Sequence, residues 1–188
     1  MATSALVLLA DNFEEIEAVV PIDLLRRAEI SVTVASCTQH LLVQGRSRIS
    51  VQADCMVQEL GEQQFDLIVL PGGPGVFKLR KNRLIQKIIQ KFNNEKKWIG
   101  AICAAPLLLL DAEVLGNSKY TAHSSVVNEL PHIISGQDVV CDGTIITSPG
   151  AGTAIAFGLA LIEALAGSDQ ANLIADSIHA PHSKLGID

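Results

Sequence analysis

Trp98-Ile-Gly-Ala-Ile-Cys103-Ala-Ala-Pro106-Leu-Leu-Leu-Leu110 passes from an apolar strand-like run into an apolar helix-like run with no polar loop between them. Small residues at 104 and 105 permit a sharp turn. Pro106 suits the first turn of a helix, where its missing N–H costs nothing. Three other runs repeat the first half of this pattern: Ala5-Leu-Val-Leu-Leu-Ala10, Ser31-Val-Thr-Val-Ala35 and Phe65-Asp-Leu-Ile-Val-Leu70. Short, near-continuous apolar runs are what strands buried on both faces of a parallel sheet require. Helix-like stretches at residues 14–28, 82–94 and 104–115 lie between them, and 152–166 and 169–178 read as helices near the C-terminus. Leu84, Ile85, Ile88, Ile89 and Phe92 trace one face of such a helix.

Two segments read differently. Residues 40–57 alternate around Gln44-Gly45 with Ile49 and Val51, as an antiparallel hairpin at a sheet edge would. Val139-Val140 and Ile145-Ile146 flank Asp142-Gly143, a second hairpin signal. The whole pattern predicts one α/β domain over residues 1–188, with a doubly wound, mostly parallel sheet, helices on both faces and hairpin additions. In such folds the chemistry sits at the carboxyl ends of the parallel strands. The residues after Ala10, Leu70, Ile102 and Thr147 are therefore the candidates.

Composition narrows the function. The 188 residues are 48% hydrophobic and only 4% aromatic, with a formal charge of −6, and the mean hydropathy is +0.34. This supplies a core and excludes intrinsic disorder. An acidic chain without a basic stripe or stacking aromatics is not expected to bind nucleic acid or an anionic membrane. The apolar run at 5–10 is too short for a bilayer span or a signal-peptide core. A cytoplasmic location follows as an expectation, with reduced thiols at Cys37, Cys55, Cys103 and Cys141. Their spacing has no zinc pattern, so no metal or other cofactor is expected. Three of the four cysteines are expected to be packing residues.

Cys103 stands at the strand-to-helix junction, the layout of a nucleophile elbow with a thiol in place of a hydroxyl. The start of the following helix is expected to favour the thiolate. A buried structural cysteine is the competing reading, and the turn, strand-end position and proline favour the reactive one. After the first strand, Asp11-Asn-Phe-Glu14-Glu15-Ile-Glu17 opens a helix. Glu14 and Glu15 read as dipole complements on a solvated face. Glu17 has Ile16, Val19 and Val20 as neighbours, which points to a largely buried helix and a carboxyl that stays protonated. Pro71-Gly72-Gly73-Pro74-Gly75 offers backbone N–H groups for half of an oxyanion hole, or is simply a tight turn. His123 follows a short strand-like run and is the one histidine near an expected strand end, whereas His40, His132, His179 and His182 lie in loop or tail contexts. Thr147-Ser148-Pro149-Gly150-Ala151-Gly152-Thr153 lacks phosphate-loop spacing and is assigned to the site lining.

These blocks together resemble the ThiJ/PfpI superfamily, and within it the branch of the Parkinson's-disease-associated protein deglycase and its bacterial relatives. The match rests on Leu6 to Ala10 with Glu14-Glu15-Ile-Glu17-Ala, on Asp66-Leu-Ile-Val-Leu-Pro-Gly-Gly73, on Ala101-Ile-Cys103-Ala-Ala-Pro106, and on Thr147-Ser148 through Gly152-Thr153. The resemblance implies a flavodoxin-like fold. It also implies Cys103 as an oxidation-sensitive nucleophile, Glu17 as its hydrogen-bonded acid/base, His123 nearby, and an oxyanion hole at the Gly73 and Ala104 amides. It further implies a homodimer formed partly through the helix that holds Ile16 and Arg27. Ala104 stands where protease-like relatives carry the histidine of a thiol–imidazole pair, which disfavours proteolysis. Pro149 and Ala151 also depart from the family pattern and bring anion binding beside the cysteine into question.

The expected function is a cofactor-independent deglycase or glyoxalase acting on methylglyoxal, glyoxal or early adducts on glycated protein side chains. A redox sensor or stress chaperone, in which Glu17 supports an oxidised Cys103, is the alternative.

Overall fold

The computed structural model describes residues 3–182. The ends of the expected 1–188 domain, residues 1–2 and 183–188, lie outside the described residues. The four apolar runs form β1 (Ser4–Leu9), β2 (Ser31–Ser36), β6 (Leu67–Leu70) and β7 (Trp98–Ile102). Three short strands intervene in the chain: β3 (Leu42–Gln44), β4 (Ser50–Gln52) and β5 (Cys55–Met56). The sheet ends with β8 (Val140–Asp142) and β9 (Ile145–Ser148). Its seven strands run in the order β5-β2-β1-β6-β7-β9-β8, all parallel except the β8–β9 hairpin. The inner order β2-β1-β6-β7-β9 is the flavodoxin-like 2-1-3-4-5 arrangement, with its switch point between β1 and β6.

Helices cover both faces. Along β1, Leu6 and Leu8 join one core while Ala5, Val7 and Leu9 join the other, the period-two alternation of a sheet buried on both sides. The first core takes α3 (Arg83–Asn94) through Ile85, Ile89 and Phe92, and α4 (Pro106–Asp111) through Leu107, Leu108 and Leu109. The second takes α1 (Glu15–Arg27), α5 (Ala154–Ala166) and α6 (Ser168–Ser177). Gly100 and Gly158 mark close approaches: a Cβ at 100 would lie 2.8 Å from Leu161, and one at 158 would lie 2.6 Å from Leu24. Among the described residues no helix is long and apolar enough to cross a membrane.

Three expectations need correction, and one short helix carries no sequence signal. The hairpin in residues 40–57 pairs only with itself, as the two-stranded β3–β4 sheet, and the edge of the main sheet is taken by β5. The helix expected at 104–115 is shorter, because Glu113 adopts φ +59° and stops it. A one-turn α2 (Val76–Leu79) follows the glycine-rich turn without an apolar period to announce it. Helix α1 is not buried all round: Ile16 and Val19 are 51% and 44% exposed.

Candidate active site

The β7–α4 junction is a strained turn. Cys103 has φ +65°, in the left-handed region that residues with a Cβ avoid at a cost of about 1–2 kcal/mol. Two hydrogen bonds hold it there. Its N–H donates to the Ser148 carbonyl at the end of β9 (2.8 Å), and its carbonyl accepts from the His123 N–H (2.9 Å). Ala105 N–H closes the turn on the Ile102 carbonyl at 3.1 Å, and α4 starts at Pro106. Because β6, β7 and β9 are in parallel register, Leu70, Ala101 and Thr147 stand side by side, so the turns that follow them converge. The half-buried thiol stands among these turns.

Glu17 meets it from the opposite side of the switch point. Glu14 caps α1 by accepting from the Glu17 N–H (2.8 Å), which fixes the first turn of the helix. The Glu17 side chain is only 1% exposed. Its Oε2 accepts from the Gly72 N–H at 3.0 Å, and the carboxyl is hydrogen-bonded to Cys103. Gly72 has no room for a side chain, since a Cβ there would fall 2.5 Å from Glu17 Oε2 and 2.6 Å from the Cys103 Cβ. Gly73, at φ +96°, is confined by Asn12 and Glu14 and directs its N–H at the Cys103 sulfur, as does Ala104.

The two ionisable groups resist losing their protons together. Burial raises the Glu17 carboxyl from the ordinary 4.5 to about 7, Glu14 adds to this, and Cys103, Gly72 and Arg46 pull the other way. Burial and the neighbouring Glu17 charge raise the Cys103 thiol to about 12, against the pull of the Gly73 and Ala104 amides. This corrects the expectation of a ready thiolate. Helix α4 has only six residues, and its amides do not offset the desolvation of the sulfur. At neutral pH the pair therefore holds a thiol beside a carboxyl that is part ionised, and the carboxylate stands ready to accept the thiol proton.

Other expectations divide. Gly72, named for the oxyanion hole, has its N–H engaged by Glu17, leaving Gly73 and Ala104 as the donors at the sulfur. His123 is beside Cys103 through its backbone, but its exposed ring turns to Ser125, with Nδ1 2.8 Å from the Ser125 Oγ. Within the 147–153 passage, Ser148 anchors Cys103, and a Cβ on Gly150 would lie 3.8 Å from Glu17 Oε1. Pro149 and Ala151 are half-buried in the same passage. Glu15, expected on a solvated face, is 6% exposed, and its Oε1 accepts from the Ser47 N–H at 2.6 Å. No sequence signal marks Arg46, on the β3–β4 turn, as a residue whose charge acts on Glu17. Cys37, Cys55 and Cys141 pack against the cores as expected. Among the described residues no cluster of three His, Cys, Asp or Glu side chains is arranged to hold a metal ion. A cavity of about 910 Å³ between β8 and the segment after α6 contains none of Cys103, Glu17 and His123.

The raised Glu17 carboxyl has a consequence for stability. Between the unfolded value of 4.5 and about 7 the folded state binds the extra proton, so this contribution is complete below 4.5 and is lost as pH rises through 7. Urea unfolding of wild type and Glu17→Gln at pH 5 and pH 8 is expected to show the variant gaining about 3 kcal/mol on wild type across that interval. A gap independent of pH contradicts the buried, raised carboxyl.

The chain as a whole has relatives. Residues 3–164 match the model of the DJ-1/PfpI family. The chain is 35% identical over 182 residues to Drosophila melanogaster Protein dj-1beta, covering 95% of this chain and 97% of that one. It superposes on the crystal structure of Drosophila melanogaster DJ-1beta with a TM-score of 0.93 at 33% identity, over 97% and 100% of the two chains. It is 33% identical over 186 residues to the Schizosaccharomyces pombe protein named Glutathione-independent glyoxalase DJ-1, covering 92% and 96%. With Arabidopsis thaliana Protein DJ-1 homolog A it shares 36% identity over 171 residues, 88% of this chain but only 43% of that longer protein. Matched along nearly its whole length in sequence and in fold, the chain belongs to the DJ-1/PfpI family.

Proposed function

We propose that the chain is a cofactor-independent cysteine enzyme that converts α-oxoaldehydes, or their early adducts on protein side chains, into 2-hydroxy acids. The observation that carries this reading is the buried Glu17 carboxyl, raised to about 7 and hydrogen-bonded to an elbow cysteine. The relative named as a glutathione-independent glyoxalase supports the same chemistry.

For methylglyoxal, Glu17 as carboxylate takes the thiol proton while the Cys103 sulfur bonds to the aldehyde carbon. The carbonyl electron pair moves to oxygen, where the Gly73 and Ala104 N–H groups are the available donors. After protonation to the hemithioacetal, Glu17 removes the proton from the former aldehyde carbon and returns one to the adjacent carbon. This yields a lactoyl thioester on Cys103, which water hydrolyses to lactate and the free thiol. The net change is addition of one water to methylglyoxal, with no external oxidant. An adduct on a protein amine enters the same sequence with the amine as leaving group. The sensor reading draws on the same Cys103 and Glu17, and selective addition of two oxygens at Cys103 under mild peroxide, without aldehyde turnover, would favour it.

We further propose a homodimer contact on α1. Exposed Ile16 and Val19 lie on that helix, and exposed Leu42 and Ile49 belong to the β3–β4 hairpin tied to its N-terminal end.

Three outcomes test these readings. Cys103→Ser is expected to abolish lactate formation from methylglyoxal, and unchanged turnover overturns the mechanism. Glu17 must be ionised to act as base, so kcat/KM is expected to rise with pH around a midpoint near 7 and level off above it. Glu17→Gln is expected to lose that limb and about 10²–10⁴-fold in rate. A flat wild-type profile from pH 5 to 8 removes Glu17 as the base. Sedimentation is expected to give twice the 20.0 kDa chain mass for wild type and the single mass for Ile16→Asp, whereas a monomeric wild type rules out the dimer.

A further inference from the structure

The net charge of −6 conceals an uneven distribution. Residues 67–94 hold six of the chain's 14 basic residues and none of its 20 acidic ones. They form β6, the turn through Gly72 and Gly73, α2 and α3. A single residue, Lys81, separates the C-cap of α2 from Asn82, which caps α3 by accepting from the Leu84 N–H at 3.0 Å. Gln86 Nε2 donates to the Arg80 carbonyl (2.8 Å) and Gln90 Nε2 to the Ala112 carbonyl (3.0 Å), which ties the two helices to one another and to the end of α4. Arg80 serves the fold as well, because its half-buried guanidinium pairs with Asp111 and Glu129, each at 2.7 Å.

The other five cations do not. Lys78, Lys81, Arg83, Lys87 and Lys91 are exposed, and among the described residues only Lys91 has an acidic partner, Glu95 at 3.9 Å. Arg83, Lys87 and Lys91 recur at one-turn intervals along α3, so like charges stand at i, i+4. Arg83 is also the first residue of that helix, at the positive end of its dipole, and no acid stands in its first turn. Both features cost stability, and among the described residues no ion pair of Arg83 or Lys87 offsets the cost. Local rules broken without structural gain point to a surface kept for something outside the fold. Apolar side chains accompany the charge: Phe77 and Leu84, next to Lys78 and Arg83 in the chain, are 52% and 37% exposed.

We propose that this strip, from Phe77 to Lys87, is a docking surface for an acidic polypeptide segment that carries apolar side chains. The unpaired cations meet its carboxylates, and Phe77 and Leu84 receive its apolar residues. A membrane fits less well, because the apolar face of α3 (Ile85, Ile89 and Phe92) is turned into the core and has nothing left to insert. A nucleic acid finds no stacking aromatic in the strip beyond Phe77, and the acidic remainder of the chain repels a long polyanion. The strip lies on the sheet face opposite α1, away from the proposed dimer contact. Helix α3 crosses over from β6 to β7, so its first turn stands at the carboxyl ends of the strands, and α2 follows directly on the Gly72–Gly73 turn. A docked segment is thus held at the edge of the sheet that carries Cys103, whether or not Cys103 turns over aldehydes.

Fluorescence anisotropy of a labelled synthetic peptide of repeating Glu-Glu-Leu tests this on the whole chain. Saturable binding that weakens as salt is added is expected, because the contacts are exposed ion pairs. Lys87→Glu turns an attraction into a repulsion and is expected to weaken binding about tenfold. Lys119→Glu, an equal change of charge at an exposed lysine outside the strip, is expected to keep the wild-type affinity. Arg83→Glu is expected to weaken binding and at the same time to raise the urea midpoint, since an acid then replaces a cation at the start of α3. An arginine kept for structure alone has no reason to do both. The proposal is overturned by a wild type that does not bind the peptide, by an equal loss in Lys119→Glu, or by equal binding of a Gln-Gln-Leu peptide. Tighter binding of duplex DNA or of phosphatidylserine vesicles, lost in Lys87→Glu, likewise overturns it and reassigns the strip to that partner.

Discussion

One buried carboxyl ties the site together. Glu17 leaves α1 on one side of the switch point and engages the Gly72 N–H and Cys103 on the other. Almost every local constraint can be traced to that contact. Position 72 must be glycine because the carboxyl and the cysteine Cβ occupy the space a side chain needs. Gly73 must tolerate φ +96° so that the next amide turns toward the sulfur. Glu14 must cap α1, since the Glu17 N–H it receives sets where the helix begins.

The sheet supplies the rigidity this contact needs. A cysteine at φ +65° and a carboxyl kept from water are both unfavourable in isolation. Parallel register brings the turns after β6, β7 and β9 to one level, and Ser148 and His123 grip the Cys103 peptide from two sides. The elbow is thus held by its surroundings and needs no favourable local conformation. The resulting electrostatics do not provide a resting thiolate. They keep a proton between two groups that both prefer to be neutral, and a carboxyl near 7 is well matched to moving it at physiological pH.

Much of this was legible in the residues. The apolar runs of β1, β2, β6 and β7 have no other use than a two-sided sheet, and the Cys103-Ala-Ala-Pro106 junction has few other geometries. What escaped was contact between distant segments. Glu15 looks like a first-turn acid because nothing in its own neighbourhood shows that the β3–β4 turn will cover it. Ile16 and Val19 look like core because apolar character alone does not tell a face packed on the sheet from one left open. Gly72 and Gly73 are adjacent and chemically identical, yet one amide serves the carboxyl and the other the sulfur, a division set by backbone direction. The thiol was expected to ionise readily because a helix start is visible in sequence, whereas the burial that opposes it is not.

Membership of the DJ-1/PfpI family gives this geometry a setting, and the proton shared by Glu17 and Cys103 is where the chemistry either works or does not. The most direct measurement is a carbon-13 NMR titration of the Glu17 side-chain carboxyl in wild type and in Cys103→Ala. A midpoint near 7 is expected in wild type, moving higher in Cys103→Ala because the hydrogen bond that lowers it is gone. A midpoint near the ordinary 4.5 in both proteins would contradict a buried glutamic acid poised to take the thiol proton.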